Sequence, residues 1–273
     1  MRAEIFHIDA FTRTLFGGNS ACVVILHEEI DKERMLMIAA ENGVAETAFL
    51  LKKGCAECGK EGEEFWGLRW FTPDLEIDLC GHATLASAFV LYECKGVKRV
   101  MFDTCEGRIG VDRDYDSDGR PSFLLHFPRR DAKPAKLPDN IFMALNIKPK
   151  EVYLSRDYIL LYSSAKEIAD ININREEFDK INLGPGGVAV TAVGEECDFV
   201  SRFFTPQSTI LEDPVTGSAH CTLAPFWAER LGRRELFAKQ ISRRCGELYC
   251  TVYDDEVSIK GYATLFSAGT MEL

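Results

Sequence analysis

Arg69-Trp70-Phe71-Thr72-Pro73, followed after an acidic loop by His82-Ala83-Thr84-Leu85-Ala86, has a near-copy further along the chain. The copy reads Arg202-Phe203-Phe204-Thr205-Pro206, then His220-Cys221-Thr222-Leu223-Ala224. A third pair of landmarks is Gly107-Arg108-Ile109 after Cys105 and Gly246-Glu247-Leu248 after Cys245. The offsets are 133, 138 and 139 residues, close to half of the 273-residue chain. Three short words in the same order at similar spacing point to duplication of one unit. Each copy has a strand ending in Phe-Thr-Pro, an acidic loop, a glycine and a helix of small residues. Proline after threonine takes the chain out of regular pairing. The glycine permits close backbone approach, and the helix after it aims its free N–H groups and positive dipole end into the loop. Two such helix starts, one per half, would suit a carboxylate-bearing substrate. Taken alone, each glycine also reads as a plain strand-to-helix turn.

Outward from these words, residues 5–11 and 21–26 read as strands joined by the Gly17-Gly18-Asn19 turn. Residues 31–42 read as a helix with Met35, Leu36, Ile38 and Ala39 on its apolar face, stopped by Gly43 as a C-cap. Residues 44–51 form an apolar strand, 54–64 a polar turn, and 65–71 the returning strand. A helix is expected over 83–92, with further strands over 99–103 and 108–112. The polar run 112–120 is the best candidate for the centre of the molecule. The expected division is therefore 1–116, 117–259 and a C-terminal strand over 260–273 that returns to the N-terminal half.

Acidic residues outnumber basic ones 43 to 32, a net charge of −11, and 46% of residues are hydrophobic. Such a chain builds a substantial core and repels phosphate backbones, which argues against nucleic acid as a partner. No apolar run approaches the roughly 20 residues of a membrane span. The N-terminus reads as a first strand without a signal-peptide core, so a cytoplasmic protein is expected. The ten cysteines are scattered, which does not suggest a disulfide framework. Cys55 and Cys58 form a close pair, but no second pair or histidines follow at zinc-site spacing, and they read as thiols in a polar loop.

Glu46 lies in Val44-Ala45-Glu46-Thr47-Ala48-Phe49-Leu50-Leu51. A carboxylate in such a strand is costly to bury unless paired or protonated, and partial burial would tune it for acid–base work near neutrality. A strand end with the carboxylate facing water is the alternative. Two further constellations are Glu76-Ile77-Asp78-Leu79-Cys80-Gly81-His82 and Glu212-Asp213-Pro214-Val215-Thr216-Gly217-Ser218-Ala219-His220. Some of their polar residues read as ordinary helix caps. His82, Asp78, His220 and Asp213 are conceivable metal ligands, yet no dense ligand spacing is present and no metal is expected. There is no Walker A sequence and no GxGxxG after a strand.

Taken together, the sequence resembles the PhzF-like family of phenazine biosynthesis, which has the diaminopimelate epimerase-like fold. The resemblance covers essentially the whole chain. It rests on Asp9-Ala-Phe-Thr with Gly18-Asn19-Ser-Ala, on Ala45-Glu46-Thr-Ala-Phe-Leu, and on Arg69-Trp-Phe-Thr-Pro with Leu79-Cys-Gly-His-Ala-Thr-Leu-Ala. It continues in Asp198-Phe-Val-Ser-Arg-Phe-Phe-Thr-Pro and Glu212-Asp-Pro-Val-Thr-Gly-Ser-Ala-His. Cys245-Gly246 departs mildly from a family pattern in which two glycines are common. The resemblance implies an α+β fold of two similar halves, each a barrel-like sheet around a central helix, with the active site between them. It implies proton transfer by Glu46 without metal, flavin or pyridoxal phosphate. His82 and Asp213 match further catalytic positions; Asn19, Thr47, Gly81, Gly217 and Ser218 are the expected substrate-binding residues.

The expected protein is a cofactor-independent isomerase acting on a small carboxylic acid, with homodimer formation left open. The alternatives are a thiol-type amino-acid racemase or epimerase and a non-catalytic small-molecule binding protein of the same fold. A two-thiol mechanism needs equivalent cysteines in both halves. Cys80 precedes Gly81, but its counterpart before Gly217 is Thr216, whose hydroxyl is too weak an acid without an adjacent base. Cys221, four residues beyond Gly217, falls inside the following helix.

Overall fold

In the computed structural model, which describes residues 2–53 and 63–273, local sequence signals and packing agree on two compact units. They comprise Met1–His126 with Lys260–Leu273, and Phe127–Ile259. The polar run 112–120 forms a strand end and hairpin turn within the first unit, and Cys55 and Cys58 lie outside the described residues. Among the described residues no helix is long and apolar enough to cross a membrane.

The first unit begins with antiparallel strands β1 (Arg2–Ala10) and β2 (Asn19–Leu26). Helix α1 (Lys32–Asn42) starts at Asp31, whose carboxylate accepts the Arg34 N–H at 2.7 Å. It buries Met35, Ile38 and Ala39 against Phe49 and Phe71, and stops at Gly43, where φ of 61° suits glycine. Strand β3 (Glu46–Lys52) then runs parallel to β2, and β4 (Glu63–Phe71) pairs with β3 antiparallel. After the short β5 (Glu76–Ile77) comes α2 (Gly81–Phe89), which begins two residues earlier than the pattern predicts. Its first eight residues are all buried, so it is a central helix with no polar face. Its hydroxyls are satisfied internally: Thr84 donates to the Cys80 carbonyl at 2.6 Å and Ser87 to that of Ala83 at 2.7 Å. Strands β6 (Arg99–Thr104), β7 (Gly107–Tyr115) and β8 (Pro121–Pro128) complete the run.

The second unit repeats this plan. It contains β9 (Lys133–Pro134), α3 (Asp139–Ala144), β10 (Glu151–Leu154), β11 (Tyr158–Leu161), α4 (Ala165–Ala169) and α5 (Arg175–Phe178). These are followed by β12 (Val188–Val193), β13 (Phe199–Phe204), β14 (Glu212–Asp213), α6 (Gly217–Leu231), β15 (Glu235–Gln240) and β16 (Gly246–Val252). The last strand, β17 (Glu256–Glu272), leaves this unit and pairs with β1 through its later residues. The pairing signs match unit for unit: β2–β3 and β11–β12 parallel, β3–β4 and β12–β13 antiparallel, β4–β6 and β13–β15 parallel. Helix α6 is buried from Gly217 to Pro225. Pro225 cannot donate to the Cys221 carbonyl, which instead accepts the Arg130 N–H at 3.0 Å.

Even a partly buried ion pair is repeated. Arg69 clasps Glu76 through Nε and Nη2 at 2.7 and 3.0 Å, and Arg202 clasps Glu212 at 2.7 and 2.9 Å. The helix starts, however, correct the register read from the repeated words. Gly81 and Gly217 open the two helices, so His82 corresponds to Ser218, and His220 corresponds to Thr84. The shared His-x-Thr-Leu-Ala word is displaced by two residues within the duplicated helix.

Candidate active site

Glu46 is the first residue of β3, just beyond the Gly43 stop of α1. The parallel register places it beside Ala21, so the start of β2, where Asn19 is fully buried, lies close by. Thr47 is buried as well, and its hydroxyl accepts from the Asn42 amide at 3.0 Å. Opposite these strands, Cys80 caps α2 in an extended conformation, Gly81 opens the helix, and His82 is its second residue. The side chain of His82 is 4% exposed and that of Glu46 14%, with His82 Nε2 2.9 Å from Glu46 Oε2. Neither atom has another partner among the described residues. On the other side of the ring, Nδ1 lies 3.2 Å from Asn19 Nδ2 and 3.5 Å from Cys80 Sγ.

This arrangement determines what the ring can do. A neutral His82 that accepts from Asn19 at Nδ1 carries its proton on Nε2, the nitrogen 2.9 Å from Glu46 Oε2. Burial works against a charged ring, but the Glu46 carboxylate 2.9 Å away favours it, and His82 is held well above the ordinary imidazole value. Burial pushes the Cys80 thiol up to about 11, so it stays protonated near neutrality. Donor atoms of Glu46, Cys80 and His82 lie within 4.8 Å of one another. Within the trio the carboxylate and imidazole stand 2.9 Å apart, with the thiol on the other side of the ring. Of the residues considered for a metal in the sequence, only His82 belongs to this cluster. His220 is a core residue: its Nδ1 donates to the Thr216 carbonyl at 2.8 Å, its ring stacks on Phe199, and burial lowers it to about 4.

The equivalent place in the second unit is furnished differently. Thr216 caps α6, its hydroxyl donates to Asp213 Oδ2 at 2.6 Å, and its N–H donates to Gln240 Oε1 at 2.8 Å. The Gln240 amide in turn donates to the Asp213 carbonyl at 2.7 Å. Gly217 opens the helix, and the Ser218 hydroxyl accepts from Arg156 Nη2 at 3.0 Å. The same guanidinium grips Asp157, which is fully buried and also accepts the Gly187 N–H at 2.9 Å. Thr47 lies opposite Phe71 and Val188 opposite Phe204, so Gly187 stands where the first unit has Glu46.

Sequence reasoning thus names Glu46, His82, Asn19, Thr47 and Gly81, which gather at one helix start, and Asp213, Gly217 and Ser218, which gather at the other. It passes over Arg156, Asp157 and Gln240. The adjacent Arg-Asp pair beside an apolar strand is a usable signal for the first two, whereas a glutamine at a strand end carries none. Cys221 is buried within α6, with its thiol raised by that burial to about 11.

The sequence profile of the family described as phenazine biosynthesis-like protein matches residues 8–269. An uncharacterized isomerase of Pseudomonas aeruginosa is 42% identical over 276 residues, spanning 100% of both chains. The crystal structure of a PhzF-family phenazine biosynthesis protein from Enterococcus faecalis superposes with a TM-score of 0.88 at 37% identity, covering 100% of both chains. A predicted epimerase of Pseudomonas aeruginosa shares the fold at 20% identity and a TM-score of 0.72, over 98% of this chain and 99% of that one.

Proposed function

The chain belongs to the phenazine biosynthesis-like protein family and is an isomerase, and on that premise we propose a cofactor-independent proton transfer on a small carboxylic acid. Glu46 removes a proton from carbon and returns it at another position. His82 orients the Glu46 carboxylate and relays its proton. Asp213 orients the substrate. The free N–H groups at the glycine-opened start of α2 take the substrate's negative charge, as carboxylate or as developing oxyanion. We assign the protein to the cytoplasm, consistent with eight free thiols among the described cysteines.

The observation that carries this reading is the 2.9 Å contact between Glu46 and a deeply buried His82 at a helix start. A carboxylate facing water, the alternative for this residue, would need no such partner. The test is solvent deuterium wash-in: hydroxy- and amino-acids are incubated with the protein in heavy water and read by mass spectrometry. Exchange at carbon that is lost in Glu46→Gln supports the reading, and full exchange in that variant rejects it. The 3.5 Å approach of Cys80 to His82 gives a thiol mechanism its one foothold. If Cys80→Ser loses exchange while Glu46→Gln retains it, the thiol is the base.

A further inference from the structure

Strand β4 changes partners part-way along its length. Residues 63–67 pair with β6, whereas Trp70 and Phe71 pair with β5, so the edge at Leu68 and Arg69 is left open. The second unit branches in the same way, with β13 paired to β15 over 199–201 and to β14 at Phe203 and Phe204. There the branch is plugged. Gln240 spans it with hydrogen bonds to Asp213 and Thr216, and Arg202 turns Nη1 onto the carbonyls of Ile168, Ala169 and Ile171.

The first unit has neither plug. Asp103 lies opposite Gly67 and Gln240 opposite Ser201, which puts Thr104 at the position of Gln240. Thr104 is short, and its hydroxyl donates back into its own hairpin, to the Gly107 carbonyl at 2.8 Å. Arg69 clasps Glu76 as Arg202 clasps Glu212, but its Nη1 has no acceptor among the described residues. What remains is a pocket of about 260 Å³ lined by Arg69, Cys105 and the apolar side chains of Leu68, Trp70 and Ile77. The indole N–H of Trp70, a residue only 1% exposed, also has no partner among the described residues.

We propose that this pocket is a second ligand site, separate from Glu46 and His82, that takes a small carboxylic acid with a compact apolar body. The carboxylate occupies the open Nη1 of Arg69, in the planar geometry that guanidinium favours. The apolar body covers Leu68, Trp70 and Ile77. Two features select a monoanion over phosphate: one guanidinium nitrogen is free, and the pocket's other cation, Lys53, is already paired with Asp103 while Glu76 is clasped by Arg69. The volume lies below the ~300–1,000 Å³ of sites for drug-sized molecules, which limits the occupant to a small acid.

Cys105 supplies the readout, because its exposed thiol lines the pocket while Cys94 and Cys245, also exposed, do not. Alkylation by iodoacetamide is followed at each cysteine by peptide mass mapping, with benzoate, benzamide or inorganic phosphate present. Benzoate at ten times its dissociation constant is expected to slow alkylation of Cys105 about tenfold, with Cys94 and Cys245 unaffected. Benzamide and phosphate should not protect. Thr104→Gln, which copies the plug of the second unit and keeps the Arg69–Glu76 clasp, should abolish protection. Glu46→Gln should leave it intact, so the test is independent of the proton-transfer reading. The proposal is overturned if benzoate gives no saturable protection, if benzamide protects equally, if protection survives Thr104→Gln, or if it disappears in Glu46→Gln.

Discussion

At the start of α2 a buried histidine meets a carboxylate, whereas at the start of α6 the same helical position is a serine that meets a guanidinium. The strands beside them differ in the same sense: Glu46 in the first unit is Gly187 in the second. Both copies keep the part of the design that comes from backbone, a glycine-opened helix start after a short strand. They diverge in whether a histidine meets a carboxylate there. Imidazole and carboxylate exchange a proton within the accessible pH range, whereas arginine keeps its charge. Duplication therefore supplied two glycine-opened helix starts, and among the described residues the first brings a histidine and a carboxylate into direct contact.

This contrast can be broken most forcefully at Glu46. Glu46→Gln should lower deuterium wash-in by about 10²–10⁴-fold, the usual worth of a general base. A fall of less than that in a folded variant would mean that the first unit does not hold the base.

The second test is structural and concerns Gly187. A Cβ built there would lie 2.5 Å from the Phe203 ring and 2.8 Å from the Phe204 carbonyl oxygen. Gly187→Ala is expected to cost about 2–3 kcal/mol, at the upper end for overpacking, measured as a shift in the urea midpoint. An unchanged midpoint would show that the second unit has room for a side chain at the Glu46 position. Ser218→Ala is milder. It removes the hydroxyl that accepts from Arg156, and it should lower the urea midpoint by an amount equivalent to about 1 kcal/mol, as loss of one internal hydrogen bond would.

How far these differences could be read from sequence depends on which force fixes each residue. The Asp31 cap, the buried Met35-Ile38-Ala39 stripe and the Gly43 stop follow local rules, and α1 is legible to within a residue. The family words gathered Glu46, His82 and Asn19 because each has a distinct chemical type. The equivalence of His82 with Ser218 was hidden, since the repeated His-x-Thr-Leu-Ala word matches by composition and only the helix starts reveal the two-residue displacement. Gln240 and Thr104 were hidden for another reason. Whether a strand-end side chain plugs a branch depends on a register between strands far apart in sequence, which no local pattern records.

The two histidines that the repeated words align give the finest test, because burial acts on them with opposite outcomes. An unfolded histidine titrates near 6.5. His82 is held above that value in the folded protein, against the cost of its burial, by the Glu46 carboxylate. Its contribution is therefore complete below about pH 6.5 and is lost as pH rises through the folded value, where the folded state still holds a proton that the unfolded chain has released. His220 is depressed by burial to about 4, so its contribution is complete above about 6.5 and is lost as pH falls toward 4. One proton limits each effect to about 1.4 kcal/mol per pH unit. Urea midpoints measured across pH should thus lose their alkaline slope in His82→Gln and their acid slope in His220→Asn. The second substitution retains a donor for the Thr216 carbonyl. If His82→Gln instead flattens the acid limb, the ring is neutral in the folded protein, and its contact with Glu46 is an ordinary hydrogen bond rather than an ion pair.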